Sequence, residues 1–229
     1  MTPAAPASLP TWPARIAPRL RTEPVLKGVG TALGMSGFFV LYFAVLNHPV
    51  FPVTTMPLTA PDRWIGFQPL ALIPYISLWV YVPALPALLA DRRELFAYAR
   101  AAGVLSVLGL LVFIVWPTTI PRPDIDWSQH PSVAFLKTID ASGNACPSLH
   151  VAFAVFTAFW FARVLTQLRA NRTVHAVNLL WAAVIVYSTL ATKQHVAVDA
   201  LAGSLLGAAV AFVSLKRLQP TPASPQSRS

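Results

Sequence analysis

Apolar residues along this chain gather into six runs parted by short polar connections, at about 28–46, 69–90, 101–116, 148–162, 174–191 and 196–215. Crossing a hydrocarbon layer of about 30 Å takes roughly 20 apolar residues as a helix, and fewer where polar ends line a cavity. The runs therefore predict an all-α, polytopic membrane protein, a bundle of six transmembrane helices. The second run carries Pro74, Pro83 and Pro86, which remove amide donors and predict a kink or break unless neighbouring helices satisfy the freed carbonyls. The flanks divide the chain into a flexible tail at 1–27, a membrane domain at 28–217 and a second flexible tail at 218–229. No apolar core precedes Lys27, so a cleaved signal peptide is not expected.

Composition agrees with this class. Hydrophobic residues make up 55% and charged residues only 11%, against about a quarter charged in soluble domains. A net charge of +9 would suit nucleic acid, but the basic residues stand in short clusters between apolar runs and form no basic face. The single cysteine, Cys146, rules out an internal disulfide framework or a cysteine-rich zinc site. Cytoplasmic loops retain Lys and Arg, and thirteen of the seventeen basic residues fall on the side shared by both termini. The other side holds Arg63, Arg122, Lys137 and Lys193. Both termini are thus expected in the cytoplasm, with the polar connections before the second, fourth and sixth runs outside.

Those outside connections carry the chemically useful residues. In "STLATKQHVAVDALAG", residues 188–203, His195 and Asp199 stand four apart and share a helix face. A carboxylate inside a span costs on the order of 2.5 to 3.5 kcal/mol, so Asp199 needs a partner. Bonded to one imidazole nitrogen, it fixes the tautomer and leaves the other nitrogen basic or nucleophilic. In "CPSLHVAF", Ser148 is a good N-cap and His150 falls in the first turn of the fourth helix. A helix amino end suits phosphate, and Arg122 and Lys193 are the cations at that depth, Arg being the better planar ligand. Lys137 reads as a headgroup anchor. One His and one Asp are too few for a metal site, and no HExxH spacing occurs, so neither metal nor cofactor is expected. A packing pair, an interfacial histidine, or a proton relay in a small transporter or non-enzymatic membrane module stays open on these residues alone.

The motifs resemble those of the type 2 phosphatidic acid phosphatase superfamily, the integral membrane lipid phosphate phosphatases and related phosphotransferases. Its Pro-Ser-Gly-His motif matches Pro147-Ser148-Leu149-His150. Its Ser-Arg, five residues, His, three residues, Asp motif matches Ser188-Thr189, His195 and Asp199; its Lys, six residues, Arg-Pro motif survives as Arg122-Pro123, with Val115 in the Lys position. The Pro-Ser-Leu-His and Lys-Gln-His forms, with "LTAPDRWIGFQPLALIPYISLW" before the second run, resemble the branch of inositol phosphorylceramide synthases. The resemblance implies a six-helix fold and a metal-independent lipid phosphatase of the inner membrane. It would work at the extracytoplasmic face, with a lipid phosphate substrate and no nucleic-acid partner. His195 would attack phosphorus, Asp199 orient it and His150 protonate the leaving alkoxide. Arg122, Lys193 in place of the lost Arg, and Ser148 would hold the phosphoryl oxygens. A phosphotransferase would use the same phosphoenzyme.

Overall fold

The computed structural model describes residues 11–133 and 144–218. Six helices in it are long and apolar enough to cross a membrane: α1 (Pro24–Asn47), α2 (Leu72–Leu88, led by a 3-10 turn at Pro69–Ala71), α3 (Arg92–Val115), α4 (Leu149–Leu168), α5 (Arg172–Ala191) and α6 (Ala197–Lys216). α2 is one continuous helix. Pro74 sits in its first turn, where no amide is needed, and Pro83 and Pro86 fall in its last turns. Beyond them the Ala87 and Leu89 carbonyls accept from the Lys27 ammonium and the Leu88 carbonyl from Arg19. Cations thus satisfy this carboxyl end.

The first tail ends earlier than residue 27. A 3-10 turn at Trp12–Arg15 and a helix at Ile16–Arg21 precede α1, and Lys27 is buried, its ammonium also bonded to the Arg19 carbonyl at 2.7 Å. The Pro- and Ala-rich composition concealed this segment because its order comes from long-range bonds to α2 and α4. Arg19 also donates to Gln167, which donates to Glu94, itself paired with Arg163 at 3.1 Å. Residues 1–10, 219–229 and the region of Lys137 lie outside the described residues.

α4 is the central helix: 56% of its apolar window is buried, against 6% for α1. It packs most extensively on α6 and also meets α2, α3 and α5. Phe156, Trp160, Val164 and Leu168 fill the main core with Leu105 and Phe113 of α3. Without a water-driven hydrophobic force between helices, close packing of small residues holds such bundles. Gly203 and Gly207 of α6 provide it, since a Cβ on either would collide with the Ser148 or Ala152 carbonyl of α4. At one end, short strands β1 (Thr54–Thr55) and β2 (Thr118–Thr119) pair in parallel. The Thr118 carbonyl and hydroxyl then receive the Ala145 and Cys146 amides. This ties the α1–α2 connection and both ends of the α3–α4 connection into a cap over α4.

Gly207→Ala should cost about 1–3 kcal/mol by overpacking, read as a lower unfolding temperature in detergent. Gly37→Ala, where a Cβ meets open space, should leave that temperature unchanged or slightly raised.

Candidate active site

The fourth helix begins at Ser148, whose hydroxyl accepts the Val151 amide at 3.2 Å, satisfying one of the unpaired donors of a helix start. Its own amide donates to the Asp199 carbonyl of α6 at 3.0 Å. That main-chain bond fixes the starts of α4 and α6 side by side. His150, in the first turn of α4, stacks its ring on Tyr75 of α2 with centroids 4.1 Å apart and planes 15° apart. His150 Nε2 is buried without a hydrogen-bond partner among the described residues.

His195 stands in the turn just before α6, its Nδ1 3.0 Å from Oδ2 of Asp199 in the first turn of that helix, with Asp199 fully buried. An ionised carboxylate there makes Nδ1 the protonated nitrogen and puts the lone pair on Nε2. The turn before α6 is held by Thr189, whose carbonyl accepts both the Gln194 and His195 amides. A second brace comes from the connection between α1 and α2. A short helix there, Ala60–Trp64, starts with a capping box in which Asp62 accepts from the Thr59 amide and hydroxyl. The other carboxylate oxygen of Asp62 reaches 135 residues along the chain to the Ala197 amide at 2.7 Å. Asp62 therefore caps α6 in place of a local side chain.

His150 and His195 line one cavity of about 400 Å³ between α1, α2, α3 and α4, together with Asn144. Asn144 is 5% exposed, its Nδ2 donating to the Tyr42 carbonyl and its Oδ1 unpartnered among the described residues. The anticipated anion ligands are arranged differently from the histidines. Arg122 is exposed on its connection and Lys193 is partly buried; neither is among the described lining residues. The Lys193 ammonium donates to the carbonyls of Asp62 and Ile65, from a backbone in the left-handed region at φ 55°. It clamps the short helix onto the His195 turn. Ser148 is fully buried and does not reach the lining. Leu149, which stands where the motif has Gly, sends its side chain against Gly109 of α3, where a Cβ would overlap it. The extra bulk is matched by a missing Cβ opposite.

Asp62, Tyr75 and Asn144 went unseen in the sequence. A Thr59-x-x-Asp62 capping box is legible, but its second partner on α6 is not. Tyr75 and Asn144 gave no signal, being an ordinary aromatic in an apolar run and an ordinary loop residue. Among the described residues, no group of three or more His, Cys, Asp or Glu gathers in a metal-binding arrangement.

A family model described as the PAP2 superfamily matches residues 94–221. No curated protein and no solved structure matches the chain. The matched stretch covers α4, α5 and α6 and all but the first two residues of α3.

Cys146 reports on the cap. It is buried, and burial, with the Asp199 charge adding to it, pushes its thiol up to about 11. The reactive thiolate is therefore suppressed at neutral pH. Maleimide should leave Cys146 of the folded protein unlabelled there and modify it fully once denaturant is added.

Proposed function

We propose that this chain, which belongs to the PAP2 superfamily, is an integral membrane lipid phosphatase working through a phosphohistidine. The observation that carries this reading is the pair His150 and His195 lining one apolar cavity, with His195 bonded to a buried Asp199. His195 Nε2 attacks phosphorus in line, forming a P–N bond as the P–O bond to the lipid breaks. The leaving alkoxide takes its proton from His150. Water then attacks phosphorus, gives a proton to His150, and the P–N bond breaks to release phosphate. Neither step calls for a metal. The positive-inside distribution of Lys and Arg supports cytoplasmic termini and a site at the extracytoplasmic face.

Phosphoryl oxygens would be met by Arg122, three residues beyond the strand that pairs with Asn144, and by the amides of the first turn of α4. Lys193 and Asp62 act as positioning residues for the His195 turn. Two observations favour headgroup transfer as the second reading. The described lining residues include no Lys or Arg, which suits a phosphodiester monoanion better than a phosphomonoester dianion. The open Asn144 Oδ1 would accept a bond from an incoming alcohol.

Purified protein should release phosphate from lipid phosphates with EDTA present. His195→Ala should lose at least about 10³-fold, and His150→Ala about 10²-fold to 10⁴-fold, the usual scale for removing a general acid. Undiminished turnover in His195→Ala, or a requirement for added metal, would overturn the reading. A new phospholipid in place of free phosphate would select the transferase.

A further inference from the structure

The two site histidines are held by different kinds of partner. His195 has a buried carboxylate on Nδ1, four residues away. His150 is held by a residue of another helix. Tyr75 of α2 lays its ring against the imidazole, with centroids 4.1 Å apart and planes 15° apart, and its main-chain carbonyl accepts a hydrogen bond from the same imidazole. His150 Nε2 is buried without a partner among the described residues, so the bonded nitrogen is Nδ1. A proton that stays on Nδ1 leaves Nε2 as the nitrogen that gives and takes protons.

Tyr75 is itself fixed in depth. Before it, the Gln68 amide donates to the Ala191 carbonyl at the end of α5 at 2.9 Å, and Gln68 Nε2 donates to the Tyr187 hydroxyl at 2.6 Å. Beyond it, the Tyr81 hydroxyl donates to Asn178 Oδ1 of α5 at 2.7 Å, and Asn178 Nδ2 donates to the Ala158 carbonyl of α4 at 3.0 Å. Tyr75 lies between these two ties and is buried. α2 is thereby registered against α4, which carries His150, and against the end of α5, which runs directly into the turn carrying His195. An aliphatic side chain at this position would fill space. Only a flat ring face holds the imidazole in one plane.

We infer that Tyr75 is the positioning residue of the acid: its ring and carbonyl fix the His150 imidazole so that Nε2 meets the oxygen leaving phosphorus. This rests on the reading of His150 as the group that protonates the alkoxide, and adds what aims it. As the P–O bond breaks, its electron pair passes to the lipid oxygen and the Nε2 proton follows. Nδ1–H stays with the Tyr75 carbonyl, and the imidazole is left neutral. In the second step water returns a proton to the same Nε2. Such transfers need the two heavy atoms within about 2.6–3.2 Å, and a misplacement of about 1 Å costs on the order of a hundredfold in rate. A tyrosine that only packed would affect every substrate alike.

The test uses two substrates on the full chain in detergent: dioctanoyl phosphatidic acid, whose alkoxide needs a proton to leave, and p-nitrophenyl phosphate, whose nitrophenolate leaves without one. Tyr75→Leu should lower kcat on phosphatidic acid about tenfold to a hundredfold and on p-nitrophenyl phosphate by no more than about twofold. Tyr75→Phe keeps the ring and the carbonyl and should restore the wild-type ratio of the two rates. Tyr75→Met gives the same comparison should the leucine variant not fold. Equal slowing on both substrates, a loss on phosphatidic acid that phenylalanine does not restore, or wild-type rates in Tyr75→Leu would overturn the proposal. His150→Ala separates it from the reading beneath it. Wild-type turnover of phosphatidic acid there removes the acid and Tyr75 together, whereas a loss there with none in Tyr75→Leu removes Tyr75 alone. Proton NMR of histidine-labelled protein decides the stack without turnover, His150→Ala identifying the resonances. The His150 ring protons should lie upfield under the Tyr75 face, remain so in Tyr75→Phe and move downfield in Tyr75→Leu; unshifted protons in wild type sink the proposal.

Discussion

The amide of Ser148 donating to the carbonyl of Asp199 is the contact on which the site depends. It joins the cap of α4 to the first turn of α6, and it forms because Gly203 lets the α4 backbone approach without a Cβ between them. Gly207 repeats the approach one turn deeper, against Ala152. Two helix starts locked at one depth carry His150 and His195 to the same cavity without further instruction. Ser148 donates its amide to α6 and accepts the Val151 amide on its hydroxyl, so it shapes the frame of the site.

Lys193 also braces the frame. A side chain ammonium in an apolar surrounding needs acceptors, and the carbonyls of Asp62 and Ile65 supply them. Asp62 in turn caps α6 at Ala197. The connection between α1 and α2 is thereby fastened to the His195 turn from both directions. Its capping box and the Lys-Gln-His sequence belong to one device, although they lie far apart along the chain.

Much of the frame could be read from the chain itself because hydropathy records what faces lipid. Where the boundaries shifted, polar residues were the reason: α3 starts at Arg92, because Asp91 caps the Glu94 amide and a charged first turn is stable at the bundle end. The pair His195 and Asp199 was legible because they stand only four residues apart, although His195 lies in the turn before α6 and not on the helix itself. Asp62, Tyr75 and Asn144 were not, since each acts through a partner that the sequence places far away. Glycines show the limit most plainly. Gly34 and Gly207 look alike in sequence, yet Gly207 faces a backbone and Gly34 open space, a distinction made only by the packing of other helices.

Central to the account is a phosphorylated His195 whose attacking nitrogen is set by Asp199. Rapid acid-free quenching of the protein during turnover, followed by peptide mass spectrometry and phosphorus NMR, reads both the residue and the atom. The account predicts phosphate on Nε2 of His195, stable to base, labile to acid and absent in His195→Ala. Phosphate on Nδ1, on another residue, or turnover with no phosphoenzyme at all would contradict it.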